Sequence, residues 1–201
     1  MINSFKKQFS VPNGLLGRVA GIIMAMENKK LNKWTLSHLH IDGSDRILEV
    51  GYGSGKCIEY MLKANRTIKI DGLDVSKTMK AQAEHRLGNY VESGQVTLML
   101  GDVEKVRLDE EKYDKVVTVN NYTIWSHPER GLQRLHQVMK IGGKIAITMQ
   151  PREENASSIK TRMFANQIYK NLSDCGFSEI NIFYKRIHPE LAVCVTAVKK
   201  G

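Results

Sequence analysis

The 201-residue chain is poor in the residues that stiffen or cross-link small folds, with four prolines, three cysteines and two tryptophans. Cys57, Cys175 and Cys194 are odd in number and lack metal-ligand spacing. That argues against a disulfide framework or a cysteine-held metal and for mostly buried free thiols in a reduced, cytoplasmic setting. There is no repeat, low-complexity tract or Ser/Gly linker, so the length is read as one domain with a sizeable core. No apolar run approaches the roughly 18 residues needed to span a bilayer. The stretch 14–26 is interrupted by Arg18 and lacks an A-x-A cleavage site, so it reads as a mature helix and not as a signal peptide. Acidic residues are also scarce, 21 against 30 Lys and Arg, giving a formal charge of +9 and a pI near 9.4. Such an excess is most often a solvated face, and otherwise it favours polyanionic partners.

What is present is a buried-strand pattern, Ile47-Leu-Glu-Val50, running into Gly51-Tyr-Gly-Ser-Gly55. Glycines at 51, 53 and 55 allow a tight turn and a close ligand, because no Cβ intervenes. Glu49 narrows the choice of ligand. A carboxylate beside a loop that often cradles phosphate repels a diphosphate and suits a ligand with positive charge or hydroxyls. The nicotinamide and flavin fingerprint G-x-G-x-x-G also fits poorly, since its third glycine would fall on Lys56. A second apolar run, 67–74, ends in Asp74, 23 residues after Gly51, close to the interval of about 20 at which such folds place a ribose-binding acid. A third, 95–100, ends in Gly101-Asp102-Val103, and a fourth, 113–119, runs into Asn120-Asn-Tyr-Thr-Ile-Trp-Ser-His-Pro128. Three acids, Glu49, Asp74 and Asp102, therefore follow three successive strands at the edge where open α/β sheets bind ligands.

The spacing predicts helices over 77–91, with Ser76 as its cap, over 129–140 and over 158–175, ending at Gly176. Gly142-Gly143 is read as a break before a fifth strand, 144–149. Two last strands, 179–187 and 191–199, are joined by a short turn at His188-Pro189 and so must be antiparallel neighbours, whereas the earlier strands are joined by helices and run parallel.

E-x-G-x-G-x-G after the first strand, D-x-S-x-x-M from Asp74 to Met79, G-D-V at 101–103 and V-N-x-x-x-x-W-x-x-P from Val119 to Pro128 resemble the motifs of the class I S-adenosylmethionine-dependent methyltransferases. The resemblance runs from about Asp45 to the C-terminus. It implies a Rossmann-like three-layer α/β/α sandwich whose seven-stranded, mostly parallel sheet has the order 3-2-1-4-5-7-6 and ends in an antiparallel hairpin. It also implies S-adenosyl-L-methionine as cofactor and S-adenosyl-L-homocysteine as product. Glu49, Gly51, Tyr52, Gly53 and Gly55 would cradle the aminoacyl part, and Asp74, with Val75, Ser76 and Met79, the ribose and adenosine. Asp102 and Val103 would hold the adenine, and Asn120 the methionine end. Tyr122 and Trp125 would face the substrate. For Trp125 the alternative is a ring buried under the following helix, and for Ser76 a plain helix cap.

Methyl transfer from a sulfonium is an in-line displacement, so alignment and exclusion of water carry most of it. A dry pocket walled by Trp34, Tyr122 and Trp125 would suit the loss of charge on sulfur. A base is needed only if the acceptor must lose a proton, and Tyr122, His127 and His136 are the candidates, with His127 nearest the substrate side. No metal-ligand cluster is visible, which argues against acceptors held on magnesium. The absence of an N-P-P-Y run argues against exocyclic nucleobase amines.

Residues 1–44 are the expected variable segment, read as a helical lid on the methyltransferase domain 45–201. Leu15, Leu16, Val19, Ile22, Ile23 and Met26 share one helical face, and 31–39 suggests a second helix carrying Trp34. Lys6, Lys7, Arg18, Lys29, Lys30 and Lys33 stand against Glu27 alone up to residue 40. A small-molecule acceptor is the favoured reading. RNA or an anionic membrane surface reached through the basic segment is the alternative, as is a protein that binds the cofactor without turnover. No obligate protein partner is inferred, and a homodimer is left open.

Overall fold

Five parallel strands arise from runs rich in Val, Ile and Leu, and those at the centre of the sheet are buried on both faces. The computed structural model describes residues 28–153 and 155–201. β1 (Arg46–Val50), β2 (Lys69–Asp74), β3 (Val96–Leu100), β4 (Tyr113–Val119), β5 (Met139–Met149), β6 (Phe177–Ile187) and β7 (Glu190–Lys199) form one sheet of order β3-β2-β1-β4-β5-β7-β6. β1 to β5 pair in parallel, and β7 runs antiparallel between β5 and β6. This is the order the resemblance implied.

Alternation divides the sheet's side chains between two helical layers. Leu48, Val116, Ile145 and Val195 face Leu132 and Leu135 of α4 (Pro128–Val138) and Ile168 and Leu172 of α5 (Ser158–Asp174). Ile47, Ile70, Val117 and Ala146 face Ile58, Met61 and Leu62 of α2 (Lys56–Ala64) and Ala83 and Leu87 of α3 (Lys77–Glu92). Ser76 caps α3 by accepting from the Met79 amide at 3.2 Å. A further helix, α1, whose described part is 28–37, completes the second layer. Its Leu31 packs on Ile187 and Ala192, and Leu39, just beyond it, packs on Ile47, Val117 and Cys194. The buried Thr35 hydroxyl bonds to the Leu31 carbonyl (3.0 Å) and to the Thr148 hydroxyl (2.7 Å).

Two expectations change here. Gly142-Gly143 does not interrupt β5. The register passes from Tyr113↔Met139 to Lys115↔Lys144, so three extra residues bulge out of an unbroken strand that follows α4 directly. The part of the supposed lid that is described, from residue 28 onward, is a layer of the sandwich, with Leu31, Thr35 and Leu39 fully buried. The apolar face of 14–26 lies outside the described residues. Among the described residues no helix is long and apolar enough to cross a membrane. All three cysteines are free, Cys57 and Cys194 buried and Cys175 half-buried.

Candidate functional site

The carboxyl ends of β1 to β4 converge on an open cleft lined by Gly51, Asp74, Asp102, Asn121 and Trp125. Val50 and Gly51, where β1 enters the turn to α2, form its floor. At Gly51 a side chain would strike Asn121, whose Nδ2 lies 2.2 Å from an ideal Cβ, and at Gly55 it would strike Leu87 Cδ1 of α3 at 2.9 Å. Gly53 differs from both. Its φ is +52°, yet nothing lies within 4 Å of its ideal Cβ, so the chain keeps a glycine where the protein itself leaves space.

Asp74 organises that floor. Its carboxylate accepts from the Gly53 amide (2.8 Å) and the Ser76 amide (2.9 Å), tying the glycine loop to the end of β2. Asp74 and the exposed Val75 line the cleft, whereas Ser76 and Met79 stand behind them as the cap and first turn of α3. Asp102 and Val103 form the opposite side. One Asp102 oxygen accepts from the Glu104 amide at 2.9 Å, while the other is 3.6 Å from the exposed Lys105 ammonium. Val103 is buried against Trp125.

Glu49 sits at the end of β1, 3% exposed, with Oε2 buried and without a hydrogen-bond partner. Burial, then the negative charge of Asp74, push its carboxyl up to about 8, against the pull of a hydrogen bond from Cys57. The same burial and the same glutamate push the Cys57 thiol well above its ordinary range. Tyr52 contributes only its backbone to the turn. Its side chain is buried in the second-layer core, its hydroxyl donating to the Met99 carbonyl at 3.3 Å.

The segment after β4 behaves differently from its sequence reading. Asn120, at φ +51°, turns its side-chain oxygen to accept from the Gln150 amide (2.8 Å), bridging β4 to β5. Its neighbour Asn121 lines the cleft, lies over Gly51 and accepts from the Trp125 indole N–H at 2.6 Å. Trp125 lines the cleft and is packed under Gly131 of α4. Tyr122 does not reach the cleft. It is buried in the first-layer core, its hydroxyl accepts from Asn171 Nδ2 at 2.7 Å, and burial pushes its phenol up to about 12. That removes it both from the substrate face and from the list of bases. His136 packs edge-on against Phe177 at the other end of α4. His127 stays at the rim next to Ser126, half exposed, its Nδ1 3.6 Å from Glu129.

Trp34 lies apart from the cleft's walls, edge-on to His38 and beneath the Lys185 ammonium at 6.0 Å, with Val119 alongside. Sequence reasoning missed Glu104, which lines the cleft and whose Oε1 accepts from the Ser126 and His127 amides (2.7 and 3.0 Å). It thereby clamps the loop after β4 to the loop after β3. Neither a motif nor a spacing marks it. Among the described residues no cluster of three or more His, Cys, Asp or Glu could hold a metal ion.

Residues 47–143 match the family described as Methyltransferase domain. The chain is 45% identical over 181 residues to the uncharacterized methyltransferase YdaC of Bacillus subtilis (strain 168), covering 90% of this chain and 98% of that one. Among solved structures, a SAM dependent methyltransferase from Aquifex aeolicus superimposes with a TM-score of 0.71 at 18% identity, over 89% of this chain and 97% of that one. Phosphoethanolamine N-methyltransferase 2 of Haemonchus contortus, in complex with phosphomonomethylethanolamine and S-adenosylhomocysteine, superimposes at 0.70 with 16% identity, over 85% of this chain and 52% of that one.

Proposed function

The chain belongs to the class I S-adenosylmethionine-dependent methyltransferase family, and on that premise we propose that it binds S-adenosylmethionine in this cleft and methylates a small-molecule acceptor. The observation that carries the reading is the unpartnered, buried Oε2 of Glu49 beside a glycine turn that leaves room above Gly53. A buried polar atom without a partner is rare and asks for a ligand, and here a cation suits it. The donor set fits the rest of that cofactor. Glu49 would hold its ammonium, Asp74 the ribose hydroxyls and Asp102 the adenine amine, with the Val103 amide beside it.

When bound, S-adenosylmethionine supplies a methyl group on a positively charged sulfur, open to in-line displacement. The chain's own work is positional. Asn121 fixes the Trp125 ring by its indole N–H, so the wall of the cleft is rigid and excludes water on that side. Glu104 holds the Ser126-His127 backbone at the rim. If the acceptor must lose a proton, His127 is the rim histidine placed to accept it, Tyr122 being committed to Asn171. Three free thiols suit a reducing cytoplasm.

The test is incubation of the pure protein with cofactor carrying a labelled methyl group and separate metabolite, lipid and RNA fractions. Label in the metabolite fraction supports the proposal. Label in RNA or lipid moves the acceptor to a polyanion or a membrane, a reading favoured by exposed Lys29, Lys30 and Lys33 on α1. S-adenosylhomocysteine binding without transfer to any fraction would mean a binding protein.

A further inference from the structure

Among the described residues Glu49 faces no cation. In the sheet it stands opposite Gly72 of β2 and Val117 of β4, neither of which brings a charge. The ionisable groups that act on it are Asp74, at the end of β2, and Cys57, in the first turn of α2. One is a second acid, its carboxylate already fixed by two backbone amides, and the other is a neutral thiol. A buried carboxylate in that company would be uncompensated, and such groups take up a proton in preference. The direction and size of the Glu49 shift, up to about 8, agree with the geometry.

Resting on the cofactor reading above, we propose that Glu49 is a proton-exchanging anchor positioned by Cys57: the thiol fixes one carboxyl oxygen, and the unpartnered oxygen loses its proton when a ligand ammonium arrives. The balance is simple. A neutral Glu49 carboxyl and an ammonium become a carboxylate–ammonium pair, and the proton leaves to solvent, with no redox change. Recognition of the ligand's charge and ionisation of its receptor are then a single event, and a neutral amine analogue finds a neutral acid. Cys57 is a positioning residue here. Its hydrogen bond favours the ionised carboxyl, so removing it makes deprotonation harder.

The affinity for S-adenosylhomocysteine should therefore rise by up to tenfold per pH unit from pH 6 toward 8 and level off above. Calorimetry in two buffers of different ionisation enthalpy reads the protons directly. The wild type at pH 6.5 should release close to one per ligand bound. Glu49→Gln should bind 10- to 100-fold more weakly, release none and show a flat profile over that range. Cys57→Ala should bind more weakly than wild type at pH 7 and recover at pH 9, its profile displaced upward. Infrared difference spectra of the wild type alone supply a check that no variant can spoil, because ligand addition should erase a protonated-carboxyl band. Tight binding with no proton release and no loss of that band overturns the inference alone, and a Cys57→Ala profile superimposed on wild type overturns the positioning role. A protein that binds no S-adenosylhomocysteine at any pH overturns the cofactor reading with it.

Discussion

Replacing each loop glycine by alanine in turn should separate the structural from the ligand-contacting positions. All three have positive φ, +77°, +52° and +77° for Gly51, Gly53 and Gly55, where an L side chain costs about 1–2 kcal/mol. Reduced freedom of the unfolded chain returns about 0.4–1 kcal/mol. At Gly53 that is all, since the methyl group meets nothing within 4 Å, and the net cost of about 1 kcal/mol corresponds to a melting shift of roughly 2–4 °C in a chain of this size. At Gly55 the methyl group presses on Leu87 Cδ1 at 2.9 Å and Ala83 Cβ at 3.2 Å, within the second-layer core. Overpacking of that kind adds about 1–3 kcal/mol, for a total shift of roughly 5–15 °C. Gly51→Ala should fall with Gly55→Ala, because Asn121 and the Trp125 it holds must move. Thermal melts followed by circular dichroism, with calorimetric titration of S-adenosylhomocysteine, give both readouts. Gly53→Ala should melt near the wild type and lose at least tenfold in affinity. If it binds like the wild type, or melts as low as Gly55→Ala, the space above Gly53 is not a ligand cradle.

Without ligand, Glu49 titrates near 8 in the folded chain and near its ordinary 4.5 when unfolded, so the stability it contributes is fully present below 4.5 and lost as pH rises through 8. Glu49→Gln lacks that loss and should gain on the wild type by about 1.4 kcal/mol per pH unit across the window; a difference that is the same at pH 5 and pH 8 in denaturant melts refutes it. Tyr122→Phe leaves Asn171 Nδ2 without its acceptor and should cost about 1–2 kcal/mol of stability while transfer stays within twofold; a tenfold fall in turnover would return Tyr122 to the chemistry. Deleting 1–40 removes Leu31 and Leu39, at about 2–5 kcal/mol each by the scale of buried leucines, and should abolish the cooperative melt seen by circular dichroism.

The centre of the sheet was legible because β1 and β2 are short runs buried on both faces and acids mark the strand ends, so Glu49, Asp74 and Asp102 fall in order along the sequence. Local chemistry also read well where it is local, as at Ser76, which caps α3, and Gly176, at φ +86° after α5. The reading failed where tertiary pairing decides. Gly142 and Gly143 carry a turn's composition, but the ladder to β4 absorbs the surplus residues as a bulge. The Asn120-Asn121 pair is symmetric in sequence, and which of the two meets the cleft depends on the positive φ of Asn120. Tyr122 is separated from Trp125 by two residues, yet the short 3₁₀ turn Tyr122–Ile124 sends one ring into the core and leaves the other at the wall. Glu104 and the empty side of Glu49 are relations between distant segments, and no spacing encodes them.

The seat of α1 has a consequence for how the protein is made. Leu31 is among the first described residues, but the surfaces that bury it, Ile187 and Ala192, lie at the far end of the chain. At ribosomal rates of about 5–20 residues per second, the helix waits roughly 10–30 s for its cradle. Through that interval Leu31 lacks the side chains that bury it, while β1, β2 and the glycine turn between them have already been synthesised. The ligand cleft and the seat of α1 are thus completed on different clocks. Chains stalled before β6 and β7 would leave Leu31 open to chaperones or to one another.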